Sequence, residues 1–227
     1  MDNLFLISIL TSVSGLIVYC LWYLQRKKRR AKHLTHSARS HGFRFEGDID
    51  ATPKDKFAPL RLFCIRVPGK IKNVLKRNNP SVWIFDYEYC IPRDQDVGQT
   101  VVMIEMSKTK WPPTVIETRK KERFTVAAMR LLTQKLANWE LSYKEVDLSI
   151  HPEFEENYRV FCEKDPKSLK GLLTEPFLDF LVQNPGWNVE VMNQWLLVYR
   201  HGQYLKPKEF ETFTNLVLAV YKLIEKD

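Results

Sequence analysis

One stretch near the start limits the architecture more than any other. Leu4 to Leu24 is a run of 21 residues with no charge and no proline. At about 1.5 Å per residue, a helix of that length covers roughly 30 Å, the thickness of a bilayer's hydrocarbon core. Its polar members are Ser8, Thr11, Ser12 and Ser14. Such hydroxyls return hydrogen bonds to helix carbonyls, so lipid tolerates them. The chain then turns abruptly basic, with Arg26, Lys27, Lys28, Arg29, Arg30 and Lys32 crowded together.

A secretory leader would carry its basic residues before a shorter apolar core and end in small residues. Here the leader is Met1-Asp2-Asn3, and the run closes on the bulky Tyr19-Cys20-Leu21-Trp22-Tyr23. Ile17-Val18-Tyr19 also lacks the small residues expected before a lipoprotein cysteine. The pattern predicts an uncleaved transmembrane helix over 4–24, with residues 1–3 outside the cell. Every nearby Lys and Arg follows the helix, so the positive-inside rule assigns the C-terminal side to the cytoplasm of a single-pass inner-membrane protein. Trp22 and Tyr23 join the six basic side chains as the expected membrane-interface residues. The cluster sets topology, and it offers contact to anionic lipid at about 1 kcal/mol per basic side chain near the surface.

Of the formal charge of +8, positions 1–32 carry +5, which leaves +3 for the remaining 195 residues. That is an ordinary surface rather than the dense positive field of a nucleic-acid binder, so no nucleic-acid partner is expected. The basic segment over 25–41 leads to a domain over 42–227, long enough to form two sub-units, 42–138 and 139–227. Ala38 to Gly42 is the expected hinge. Cys20, Cys64, Cys90 and Cys162 form no C-x-x-C pair, and a cytoplasmic location keeps thiols reduced, so free cysteines are expected.

The soluble part alternates between two periods. In WIFDYEYCI, Trp83, Phe85, Tyr87, Tyr89 and Ile91 share one strand face, while Ile84, Asp86, Glu88 and Cys90 share the other. QTVVMIEMS is apolar on both faces and reads as a central strand. PRDQDVG joins the two as a hairpin loop, and GKIKNVLKRNN precedes them as a third strand. Phe124, Ala127, Ala128, Leu131, Leu132 and Leu136 instead follow a helical stripe. Further on, YKEVDLSI and YRVFCE read as strands flanking HPEFEEN. Asp165-Pro166 reads as a helix start, and Thr174 caps a short helix ending near Gly186. WNVEVM and WLLVYRH form a hairpin turning near Asn193. Phe210, Phe213, Leu216, Val217, Val220, Leu223 and Ile224 define a final amphipathic helix. The expected fold is α+β: antiparallel β-meanders packed with helices behind a single transmembrane helix. Meander plus terminal helix resembles the small helix-capped sandwiches of the pleckstrin-homology kind.

FDYEY at Phe85–Tyr89, QTVV at Gln99–Val102 and HPEF at His151–Phe154, with YRHG before the last helix, resemble an uncharacterised bacterial membrane-anchored family common in cyanobacteria. The resemblance implies a bacterial membrane protein and carries over no catalytic residue.

No phosphate-binding loop, dinucleotide fingerprint, H-E-x-x-H or G-x-S-x-G motif is present. No cofactor or metal is expected. Asp86 and Glu88, two apart on one strand face, could act as an acid–base pair, but they read more simply as a solvated face opposite an aromatic core. His151, between Ile150 and Pro152, reads as a loop histidine. His33 and His36 share a helix face without enough companions for a metal. The strand aromatics lack the basic neighbours of a base-stacking platform and read as core. The function these features support is a binding or scaffolding module at the membrane, with an unidentified protein partner. An enzyme without a local motif and a lipid-surface protein are the alternatives.

Overall fold

The computed structural model describes residues 2–49, 60–63, 69–90, 96–107, 111–119, 143–147, 151–163 and 169–225. A single helix, α1, runs from Asp2 to Arg39, so the apolar run and the basic segment belong to one uninterrupted rod. Its end is built by Gly42. With φ at +78°, a value that suits glycine, the chain folds back so that Phe43 N–H reaches the Ala38 carbonyl at 3.1 Å. Gly42 N–H reaches the Arg39 carbonyl at 3.1 Å, completing a Schellman closure. The expected hinge is therefore a capped corner. Ala38 is fully buried and Phe43 is buried beside it.

Among the described residues nine antiparallel strands follow: β1 (Arg44–Ile49), β2 (Lys70–Arg77), β3 (Val82–Cys90), β4 (Asp96–Glu105), β5 (Thr114–Thr118), β6 (Lys144–Glu145), β7 (Tyr158–Cys162), β8 (Asn188–Met192) and β9 (Trp195–Tyr199). They form one sheet in the order β1-β2-β3-β4-β9-β8-β5-β7-β6. The first four strands are the expected meander, and β4 lies in the interior of the sheet, as its two-sided apolar pattern predicts. The β8–β9 hairpin turns at Asn193, whose φ of +54° suits an asparagine. That hairpin extends the sheet by pairing β9 with β4. The architecture is thus one continuous sheet, not the helix-capped sandwich expected by analogy.

Three further helices complete the described fold: α2 (Pro152–Asn157), α3 (Glu175–Gln183) and α4 (Phe210–Glu225). On α4 the buried positions are Phe210, Phe213, Thr214, Val217, Val220 and Ile224, matching the expected stripe except that Leu216 and Leu223 are only partly covered. Each buried apolar side chain contributes about 1.5–3 kcal/mol of burial free energy, enough to hold a helix of marginal intrinsic stability. HPEFEEN is a short helix rather than a loop between strands, because Pro152 suits the first helical position and His151 caps it. Thr174 precedes α3 as expected, but its side chain makes no capping bond.

Two apolar clusters lie on opposite faces of the sheet. One joins Ile84, Val102, Ile104, Val189 and Val198 to Leu34 and Ala38 of α1 and to the buried sides of α3 and α4. The other joins Phe85, Tyr87, Tyr89, Val101, Met103, Leu197 and Tyr199 to Leu60 and Leu62 of a crossing segment. The β3 alternation is therefore as read, and its aromatics are core. Cys162 is buried, whereas Cys20 is exposed and free. Cys64, the loop over 91–95, the helical pattern over 124–136 and the Asp165-Pro166 start lie outside the described residues, as does the side chain of Cys90.

Candidate functional site at the helix–sheet junction

The face of β3 that carries Asp86 and Glu88 is covered at Asp86 by α1, while Glu88 stays partly exposed. Asp86 is only 2 % exposed. Arg30, Leu34 and Ala38 stand four residues apart, so they share one stripe of α1, and all three turn inward. Arg30 grips Asp86 with two bonds, Nε to Oδ2 at 3.0 Å and Nη2 to Oδ1 at 2.9 Å. This paired fork is the strongest ordinary arrangement of guanidinium and carboxylate. Its Nη1 donates to the Leu205 carbonyl at 2.7 Å. Its plane lies 4.8 Å from the centre of the Tyr204 ring.

The sheet presents Asp86 with two more donors. Thr100 is its cross-strand neighbour on β4, and the Thr100 hydroxyl donates to Oδ1 at 2.6 Å. Asn73 donates from Nδ2 to Oδ2 at 2.9 Å. It can do so because β2 bulges there: the register slips between Lys72 and Leu75, and Asn73 adopts a φ of +52°. The Thr100 hydroxyl in turn accepts Leu205 N–H at 2.9 Å, drawing the loop after β9 into the same hub. Glu88 pairs with Lys72 and accepts the Tyr204 hydroxyl at 2.9 Å. Burial, then the charge of Glu88, pushes the Tyr204 phenol well above its ordinary pKa.

This geometry decides what Asp86 does. Both its oxygens are taken, so it joins α1 to the sheet and offers no free lone pair to a substrate. His151 is similarly committed. Its Nδ1 accepts Phe154 N–H at 3.2 Å as a helix cap, and its Nε2 faces Asp179 at 3.1 Å.

Along the other expected residues, Lys28, Arg29 and Lys32 are exposed, while the side chains of Arg26 and Lys27 lie outside the described set. Trp22 is 52 % and Tyr23 43 % exposed. Every position from Val13 to Tyr23 is exposed, Leu16, Val18 and Leu21 each by more than 60 %. Gly15 has open space around it. No helix among the described residues is long and apolar enough to cross a membrane, and the side chains of residues 2–12 lie outside that set.

A buried carboxylate on the opposite face escaped the sequence reading. Glu190 on β8 is 1 % exposed. It accepts the Tyr199 hydroxyl at 2.9 Å and Leu62 N–H at 3.3 Å. Burial raises its pKa, against the pull of nearby Arg61. Arg61 itself pairs with Glu117 of β5, which is also buried. Burial, then Glu190, pushes the Tyr199 phenol far up. The available signal was a lone Glu among the apolar residues of WNVEVM.

No family model matches the chain, and no curated protein sequence matches it. Among solved structures it is similar to the crystal structure of the mycobacterial trehalose monomycolate transport factor A, TtfA. The TM-score is 0.56 at 14 % identity, with 85 % of this chain and 93 % of that chain covered. The likeness is one of fold.

Proposed function

We propose that this chain is a membrane-anchored binding or scaffolding module whose domain is held rigidly at the cytoplasmic surface. In this reading residues 4–24 cross the bilayer and Trp22, Tyr23 and the basic cluster other than Arg30, which is turned into the domain, sit at its inner face. The observation that carries it is the Arg30–Asp86 junction. The helix that leaves an apolar stretch bare is fastened to the sheet by a paired, buried contact instead of a linker. A long bare apolar surface on a folded protein calls for lipid or a partner to cover it. The sequence candidates for acid–base work, Asp86, Glu88 and His151, are each engaged in structural bonds, which favours binding over catalysis. The fold shared with a protein named as a trehalose monomycolate transport factor supports a post beside lipid-transport machinery.

Affinity capture from mild detergent tests the reading, comparing wild type with Arg30→Ala, Glu88→Gln and His151→Ala. Specific partners should be retained in the last two and reduced in Arg30→Ala, which frees the domain from its fixed pose. Appearance of the deletion phenotype in Glu88→Gln or His151→Ala, with partner and folding intact, would count for an enzyme instead. Topology has its own check: protease added to intact cells should leave residues 42–227 uncut.

A further inference from the structure

The loop that receives Arg30 has a second side. Gln203 carbonyl accepts Thr100 N–H at 3.0 Å, next to the junction, while Gln203 also lines a cavity of about 320 Å³. Thr118 and Arg119 contribute to it from the end of β5, Asn157 from the end of α2, and Arg200 from the end of β9. The charged residues in this lining are Arg119 and Arg200, with no carboxylate among them.

The arginines differ in how they are held. Arg119 donates Nε to the Tyr158 carbonyl at 2.8 Å, and its Nη2 reaches the half-exposed Glu145 at 3.4 Å. Arg200 lies over the Trp187 ring at 4.3 Å, and its Nε is buried without a hydrogen-bond partner among the described residues. Two more side-chain donors without an acceptor among the described residues lie on β8 and β4, outside the cavity's lining. Asn188 Nδ2 has no acceptor, and its amide orientation is set because Oδ1 takes Thr118 N–H at 3.2 Å. Gln99 Nε2 is also without one, its Oε1 being fixed by Gly202 N–H at 3.0 Å. A buried donor is ordinarily matched, so the unmatched Arg200 Nε beside a second arginine, in a lining without a carboxylate, marks a place for an acceptor-rich anion.

We propose that this cavity binds a phosphate-type oxyanion between Arg119 and Arg200. Guanidinium forks suit tetrahedral oxyanions, and the volume leaves room for the group to which a phosphate is attached. The proposal makes no use of the apolar half of α1, so it does not depend on the membrane reading. A free phosphate compound and a lipid headgroup present the same chemistry, and the experiment separates them.

The full chain is studied in an uncharged detergent and in nanodiscs of phosphatidylcholine with or without phosphatidate. Tryptophan emission, sensitive to the Arg200–Trp187 stack, and calorimetry follow inorganic phosphate at constant ionic strength. Saturable binding of inorganic phosphate is expected if the ligand is soluble. A response confined to phosphatidate discs is expected if it is a headgroup. Either response should weaken by about tenfold or more in Arg119→Gln and in Arg200→Gln. Arg119 is 35 % exposed, so its replacement keeps the test valid should Arg200→Gln fold poorly. Lys206→Gln removes the same charge from a neighbouring side chain that is 68 % exposed and should leave binding unchanged. No saturable response from folded wild type in either medium overturns the proposal. So does a response untouched by Arg119→Gln, or one weakened equally by Lys206→Gln.

Discussion

Each face of the sheet holds a buried carboxylate near an arginine from a crossing segment, yet the two arrangements differ. On the α1 face Asp86 receives two bonds from Arg30, one from Thr100 and one from Asn73. On the other face Glu190 has a tyrosine hydroxyl and the backbone N–H groups of Arg61 and Leu62, and the Arg61 guanidinium is directed to Glu117. The first is a joint whose donors all converge on one acceptor. The second is a buried acid whose proton affinity burial raises, against the pull of Arg61 and its hydrogen-bond donors. Buried charge stabilises a contact when its hydrogen bonds are complete and otherwise makes stability depend on pH.

Removing α4 should break the comparison altogether. Deleting residues 207–227 strips the α1 face of its cover, and cooperative urea unfolding should vanish. A truncated chain that still unfolds cooperatively would mean that α4 serves a partner.

Asp86→Ala should come next. It strands a part-buried guanidinium and should cost about 3 kcal/mol, the lower end for a broken buried pair because Arg30 keeps some solvent contact. Urea midpoints measure this, and limited proteolysis should show α1 released near Arg30. A loss below about 1 kcal/mol would place the joint among ordinary surface pairs.

Much of this fold is legible in the sequence, but the joint is not. β3, β4 and α4 announce themselves because periods of 2 and 3.6 are local properties. Arg30 and Asp86 are 56 residues apart, and Arg30 stands among five similar side chains. What singles it out is its place four residues before Leu34 and eight before Ala38, a stripe on which apolar residues already predict contact. Asp86 was misread because a strand's alternation says which side chains share a face, not whether something covers it. Asn73 could have been noticed as a turn-favouring residue inside a strand.

One substitution at two glycines sharpens the contrast between faces. A Cβ at Gly69 would overlap the Tyr87 ring, which is 1 % exposed and hemmed in by Phe63. Gly69→Ala should therefore cost roughly 1–3 kcal/mol as overpacking. A Cβ at Gly98 would overlap the Tyr204 phenol, which is 40 % exposed and can swing outward. Gly98→Ala should lose the ring's contact with Arg30, at most about 1 kcal/mol. Thermal melts of both proteins measure the order, and a larger loss at Gly98 would reverse it.

The smallest effect belongs to Glu190→Gln. Because folding raises the Glu190 pKa, the folded state keeps that proton to higher pH than the unfolded chain does. Its contribution is complete below the ordinary glutamate range and fades as pH climbs through the raised value. Urea midpoints taken across that window should fall in wild type and stay flatter in Glu190→Gln. Parallel slopes would assign the pH dependence to another group.

The unbroken rod of α1 also fixes a height. From Tyr23 to Arg30 is about 10 Å along a helix axis, and the rod is bolted to the sheet at its upper end. Under the proposed anchoring the domain would therefore ride about one Debye length from the headgroups at physiological ionic strength. There the ion atmosphere of an anionic leaflet is richer in cations and protons than the bulk. The domain would then sample the chemistry of the surface layer, and any tilt of the rod within the bilayer would be delivered undiminished as a tilt of the sheet.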